Sequence, residues 1–156
     1  MENNESRKYR RRRKVKEAVS MQPLKQDRNF LLLILLSAVT CGIYGIYYWY
    51  KFVEDLNTLG EGDGEESPNY IVVVLLSIVT CGIYNFIWYY KQGNRMQKIG
   101  QRNGVQIDEN GTSLLLWLLV GSLVCGVGAL ISTYMMTRNM NKLCTAYNAQ
   151  FGGPVA

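Results

Sequence analysis

One ten-residue string occurs twice. Residues Leu35–Tyr44 read LLSAVTCGIY and Leu75–Tyr84 read LLSIVTCGIY, forty positions apart, and a weaker third copy, LVCGVGAL, follows at Leu123–Leu130. A chain that repeats itself at this interval folds as tandem copies of one helical unit, so the fold class is all-α with three tandem helical repeats. Each copy lies in a stretch free of Asp, Glu, Lys and Arg: 29–50, 67–90 and 110–137. All 29 charged residues fall outside those stretches, a segregation that a net charge of +5 over 156 residues conceals. A bilayer span needs about 20 mostly apolar residues. Three helices of a soluble core would show charges at helical spacing on a solvent face. The pattern therefore points to a polytopic membrane protein. The expected organisation is a basic cytoplasmic tail over 1–28, a membrane domain over 29–144 (repeats 29–60, 67–100 and 112–144), and a C-terminal tail over 145–156.

Aligning Cys41, Cys81 and Cys125 brings the repeats into register. Each begins with a helix-start signal: Asp27 or Asn29, then Ser67 with Pro68 behind it, then Thr112 or Ser113. An apolar run, Cys-Gly and a second apolar run follow. Each repeat then turns polar with a matching signature, at Tyr50, Leu56 and Asn57, at Tyr90, Met96 and Gln97, and at Tyr134, Met140 and Asn141. The polar parts read as helical extensions, broken after the first repeat by Gly60, Gly62 and Gly64 and after the second by Gly100 and Asn103–Gly104. The aromatic runs 44–50 and 84–90 fit an interfacial belt, with a cage for a cation as the alternative.

Small residues recur at i, i+4 and i+8: Ser37, Cys41 and Gly45; Ser77, Cys81 and Asn85; Gly121, Cys125 and Ala129. On a continuous helix each set forms one stripe that lets membrane helices approach closely. These nine residues are the helix-packing candidates, serving a seam within the chain, between copies, or with a membrane partner.

Two topologies are compatible with this pattern. In one, each repeat is a single span. Residues 1–28 hold ten basic and four acidic side chains, net +6, and the loops 51–66 and 91–109 carry net −5 and +2. The positive-inside rule then sets the N-terminus inside, the first loop outside and the second inside. In the other, each repeat is a re-entrant hairpin turning at Gly42, Gly82 or Gly126, with every loop on one side. The stripes and the loop charges favour the single spans. Against the hairpins stands the cost of turn backbone left unsatisfied in lipid.

The segments LLSxVTCGIY and WYYK, the basic stretch ending Arg102–Asn103–Gly104, and CGVGALIS with Asn141-Lys142-Leu143 resemble the domain-of-unknown-function 4234 family of small membrane proteins. The resemblance runs from about Phe30 to Leu143. It departs in the third repeat, where Val124 stands for Thr and Val127-Gly128 for Ile-Tyr. Some members carry a zinc-ribbon-like N-terminal segment; a basic tail stands in its place here. The resemblance implies a bacterial integral membrane protein and supplies no activity.

The run Arg7, Lys8, Arg10, Arg11, Arg12, Arg13 and Lys14 is the strongest charge feature. Beside a membrane it is drawn to anionic headgroups at about 1 kcal/mol per basic residue, which makes these seven the lipid-surface candidates. The run also holds the N-terminus on the cytoplasmic side, and nucleic acid is the lesser reading. The chain has no His and no Cys pair at CxxC spacing, so a His-containing zinc site is excluded. No catalytic motif or intramembrane carboxylate offers chemistry, and no cofactor is expected. The expected function is that of a non-enzymatic, multi-pass cell-membrane protein that associates through small-residue seams with itself or a partner. The alternative is a small passive channel or transporter component.

Overall fold

The computed structural model describes residues 23–124 and 126–151. Cys125 and the basic run from Arg7 to Lys14 lie outside them. Among the described residues the chain forms six helices and no strand: α1 (Phe30–Val39), α2 (Ile43–Leu59), α3 (Tyr70–Val79), α4 (Ile83–Arg102), α5 (Gly111–Leu123) and α6 (Val127–Phe151). They pair as three hairpins, each a short apolar helix turned back on a longer one.

The expectation of uninterrupted spans is corrected here. The first two repeats are broken at their Cys-Gly pairs and the third between Leu123 and Val127, and among the described residues no helix is long and apolar enough to cross a membrane. The cause lies in the turn backbone. Cys41 and Cys81 both have φ of 52°, and Gly42 and Gly82 have φ of 91° and 89°. This left-handed region suits glycine and is uncommon for other residues. A helix cannot continue through two such residues.

Two of the three expected helix starts also move. Asn29 caps α1, accepting from the N–H of Leu31 and Leu32. The second cap is Asn69 rather than Ser67, accepting from Ile71 N–H at 3.0 Å. The third is Asn110 rather than Thr112 or Ser113, accepting from Ser113 N–H at 2.9 Å. Asn69 stands directly before its helix where Ser67 does not, and Thr112 and Ser113 already lie inside theirs, so the preceding asparagine takes the orphan N–H in each.

The second halves of the long helices pack around a common core. Repeat-equivalent residues form its layers: Phe52, Gln92 and Met136; Leu56, Met96 and Met140; Leu59, Ile99 and Leu143, all buried. The spacing i, i+4, i+7 puts each helix's contribution on one face. Above these layers Trp49 meets Tyr48, Phe52, Tyr70, Trp88 and Tyr89, mostly edge to face. The aromatic runs are thus divided. Tyr48, Trp49, Trp88 and Tyr89 belong to the core, while Tyr47 and Tyr90 are exposed.

The short helices are arranged cyclically. Besides its own long helix, each packs on the long helix of the preceding repeat: α3 on α2, α5 on α4, and α1 on α6. The third repeat so closes on the first.

Candidate functional site

The molecule has two ends of opposite chemistry. The turn end consists of α1, α3, α5 and the first two turns of their partners. Among the described residues, all the exposed large apolar side chains except Phe151 lie here, within 31–47, 71–90 and 116–134. Each short helix turns buried residues inward (Leu33; Val73; Leu114 and Leu118) and leaves most of its other large apolar side chains exposed. Exposed apolar area on this scale marks an interaction surface.

The turns satisfy their own backbone. Thr40 N–H donates to Leu36 O (2.9 Å), Cys41 N–H to Ala38 O (3.4 Å), Gly42 N–H to Ser37 O (2.7 Å) and Ile43 N–H to Thr40 O (3.2 Å). The Thr40 hydroxyl donates to Leu36 O at 2.7 Å and accepts from Tyr44 N–H at 3.0 Å. Five successive N–H groups are thereby paired without water. The second turn repeats this with Thr80, Leu76 and Tyr84 at 2.7 and 3.0 Å. That is the physical content of Thr-Cys-Gly-Ile-Tyr: one hydroxyl bridges the helix end to the next helix start. In the third turn Val124 has no hydroxyl to offer.

The small-residue candidates sit along these hairpins. Ser37 faces Gly45 across the first turn, where a Cβ on the glycine would stand 3.1 Å from the Ser37 hydroxyl. Gly121 faces Gly128 across the third, so closely that a Cβ on either would strike the other's backbone. The hydroxyl of Ser77 has no hydrogen-bond partner, Asn85 is half-buried, and Ala129 is exposed. Cys41 and Cys81 are exposed free thiols at the tips. The close approach is between the arms of a hairpin, and a second one joins Gly93 of α4 to Gly111 of α5.

The opposite end is a belt of polar links. Three extended straps, 23–29, 65–69 and 105–110, each lead into a short helix. The Asn57 amide donates to Ser67 O (3.0 Å) and accepts from Ser67 N–H (2.8 Å). Asn141 does the same with Arg28, at 2.9 and 3.0 Å. Gln97, at the equivalent position, donates to Ile107 O at 3.4 Å. One amide per repeat therefore clasps the strap of the next repeat, and the third clasps the first. Asn148 adds a second hold on that first strap, exchanging two bonds of 2.8 Å with Leu24.

An ion pair backs each strap: Arg28 with Asp55, Asp63 with Arg95, and Glu109 with Arg138. Asp55 and Arg95 are equivalent positions of opposite sign. Arg95 is buried and fully engaged. It donates to Asp63 (2.9 Å), Asn57 (2.6 Å), the Ser67 hydroxyl (2.7 Å) and Glu65 O (2.6 Å). Burial alone would push the Asp63 carboxyl up, but hydrogen bonds from Arg95 and Glu65 N–H, with the Arg95 and Arg102 charges, hold it below the usual carboxylate value. Burial dominates at Asp55 and raises it in spite of Arg28. The Cys144 thiol, buried beside Arg28, is pushed up to about 11, chiefly by desolvation. The acidic loop 61–66 thus supplies the counter-ion of a buried arginine.

Between the two ends lie clefts at equivalent places. One of about 970 Å³ opens between the first strap and α2, past Tyr44, Tyr48, Lys51 and Asp55. Another of about 470 Å³ opens between the second strap and α4, past Tyr84, Trp88, Lys91 and Arg95. Among the described residues no group of His, Cys, Asp and Glu is placed to hold a metal ion.

No curated protein and no solved structure matches the chain. A family match covers the first two hairpins as far as Lys98 and stops short of the divergent third. Residues 28–98 of this chain fit the family described as Domain of unknown function (DUF4234).

Proposed function

We propose that this chain is a non-enzymatic bacterial membrane protein that seats its three hairpins in lipid from one face. The observation that carries the reading is the division of the molecule. Uncovered apolar side chains fill the turn end, whereas the straps and their ion pairs fill the other. The self-satisfied turns support it, because backbone placed in hydrocarbon must find its partners within the protein. Tyr50, Tyr90 and Tyr134 mark equivalent heights at which apolar gives way to polar, the level of a headgroup belt. The basic run from Arg7 to Lys14 adds attraction to anionic lipid. Association with a second copy or a partner would use the uncovered apolar faces inside the bilayer. The buried layers around Leu56, Met96 and Met140 weigh against a passive pore through one molecule.

The native cysteines test this. Cys41 and Cys81 are exposed on the protein but sit at the tips. In membranes a charged, impermeant maleimide leaves both unmodified, while single cysteines placed at Gly62 and Asn103 react from the same side. Reaction of Cys41 or Cys81 in intact membranes, or reaction of the Gly62→Cys and Asn103→Cys probes from opposite sides, overturns the reading.

A further inference from the structure

We infer that the protein bends the membrane it enters, acting as a rigid wedge in one leaflet. This rests on the lipid-embedded reading above and deepens it. The short helices hold 10, 10 and 13 residues. At 1.5 Å per residue that is about 15–20 Å, set against a hydrocarbon core of about 30 Å. The tips reach the middle of the bilayer and stop. Six helices of roughly 10 Å diameter then add on the order of 500 Å² to one leaflet and nothing to the other.

Added area bends a bilayer only if the insert keeps its shape. A single amphipathic helix can tilt or lie flat. These hairpins cannot, because each strap is clasped by a neighbouring long helix through Asn57, Gln97 or Asn141. The long helices share a filled core, and the third hairpin is locked at Gly121 and Gly128. Nothing charged at the turn end draws it through to the far surface, since 29–50, 67–90 and 110–137 carry no Asp, Glu, Lys or Arg. The embedded part is therefore one-sided and stiff. A leaflet so expanded relaxes by becoming convex toward the side of entry, which is why insertion into one leaflet is sensitive to curvature.

The test uses the purified full chain, added to preformed vesicles of one composition (neutral phospholipid with an anionic fraction) in a small and a large size class. Flotation measures protein per lipid, and electron microscopy records shape. The expected result is a several-fold higher density on the small vesicles, with the large ones drawn into tubules or small vesicles. Equal density on both classes, with large vesicles left round, overturns the inference and leaves the embedded reading intact. Flotation with neither class overturns both.

Discussion

Thr40→Val combined with Thr80→Val is the sharpest probe of the hairpin design. Valine matches threonine in shape and lacks only the hydroxyl. In each turn the change removes the acceptor of one N–H, Tyr44 or Tyr84, held at 3.0 Å. The carbonyls of Leu36 and Leu76 lose the hydroxyl but keep the N–H of Thr40 and Thr80, both at 2.9 Å. The cost is thus one stranded N–H per turn, about 1–3 kcal/mol. The two turns belong to different hairpins, so the costs add, to about 2–6 kcal/mol. For a chain of this size 1 kcal/mol moves the midpoint by roughly 2–4 °C. Helicity followed by circular dichroism during heating in detergent micelles reads the shift, and Thr40→Ser with Thr80→Ser, which keep the hydroxyls, should melt near the wild type. A valine double variant melting with the wild type would refute the claim that the hydroxyls satisfy the turn backbone.

Other changes test other joints. Asn141→Ala breaks both bonds to Arg28 and should cost about 1–3 kcal/mol in the same melt. Gly128→Ala places a Cβ 1.9 Å from the Trp117 carbonyl oxygen; forcing α5 from α6 should cost about 3 kcal/mol or more. Cys41→Gly relieves a left-handed residue at φ 52° and should stabilise the first hairpin by about 1 kcal/mol. Asp63 titrates below its ordinary value of 3.8, so the stability it contributes is complete above that pH and is lost as the pH falls through its lowered folded value. Asp63→Asn should therefore be less stable at neutral pH, with the gap to wild type narrowing on acidification. For Asp55, held above 3.8, the sign reverses: its contribution declines as the pH rises through the interval up to its folded value.

The repeats, their register and the polar helical extensions are legible in the letters, because identical strings adopt identical structure. The break at Cys-Gly is legible only as one of two options. A glycine can end a helix or line a seam, and spacing does not separate the two. In the first two turns the threonine before it completes the turn with its hydroxyl, a contribution that hydropathy does not weigh. The equivalent positions Asn57, Gln97 and Asn141 stand out by recurrence, yet their partners lie on straps with no motif of their own. Arg95 and Asp63 are invisible as a pair, since 32 residues of loop and helix separate them. The same reasoning misplaces two caps: Ser67 is a fine cap by type, but Asn57, Gln92 and Arg95 already engage it.

The ring of clasps also imposes an order of birth. Asn57 finds Ser67 ten residues on, and Gln97 finds Ile107 at the same short remove. The first strap must wait. Its partner Asn141 emerges 113 residues after Arg28, and Asn148 emerges 124 after Leu24. Closing so long a loop is slow, and its reward arrives only once the final helix exists. During synthesis the second and third hairpins can lock while the first hangs open at its strap. A chain cut short before Asn141 would keep its apolar tips but never shut the ring, so this contact doubles as a mark that all three hairpins are in place.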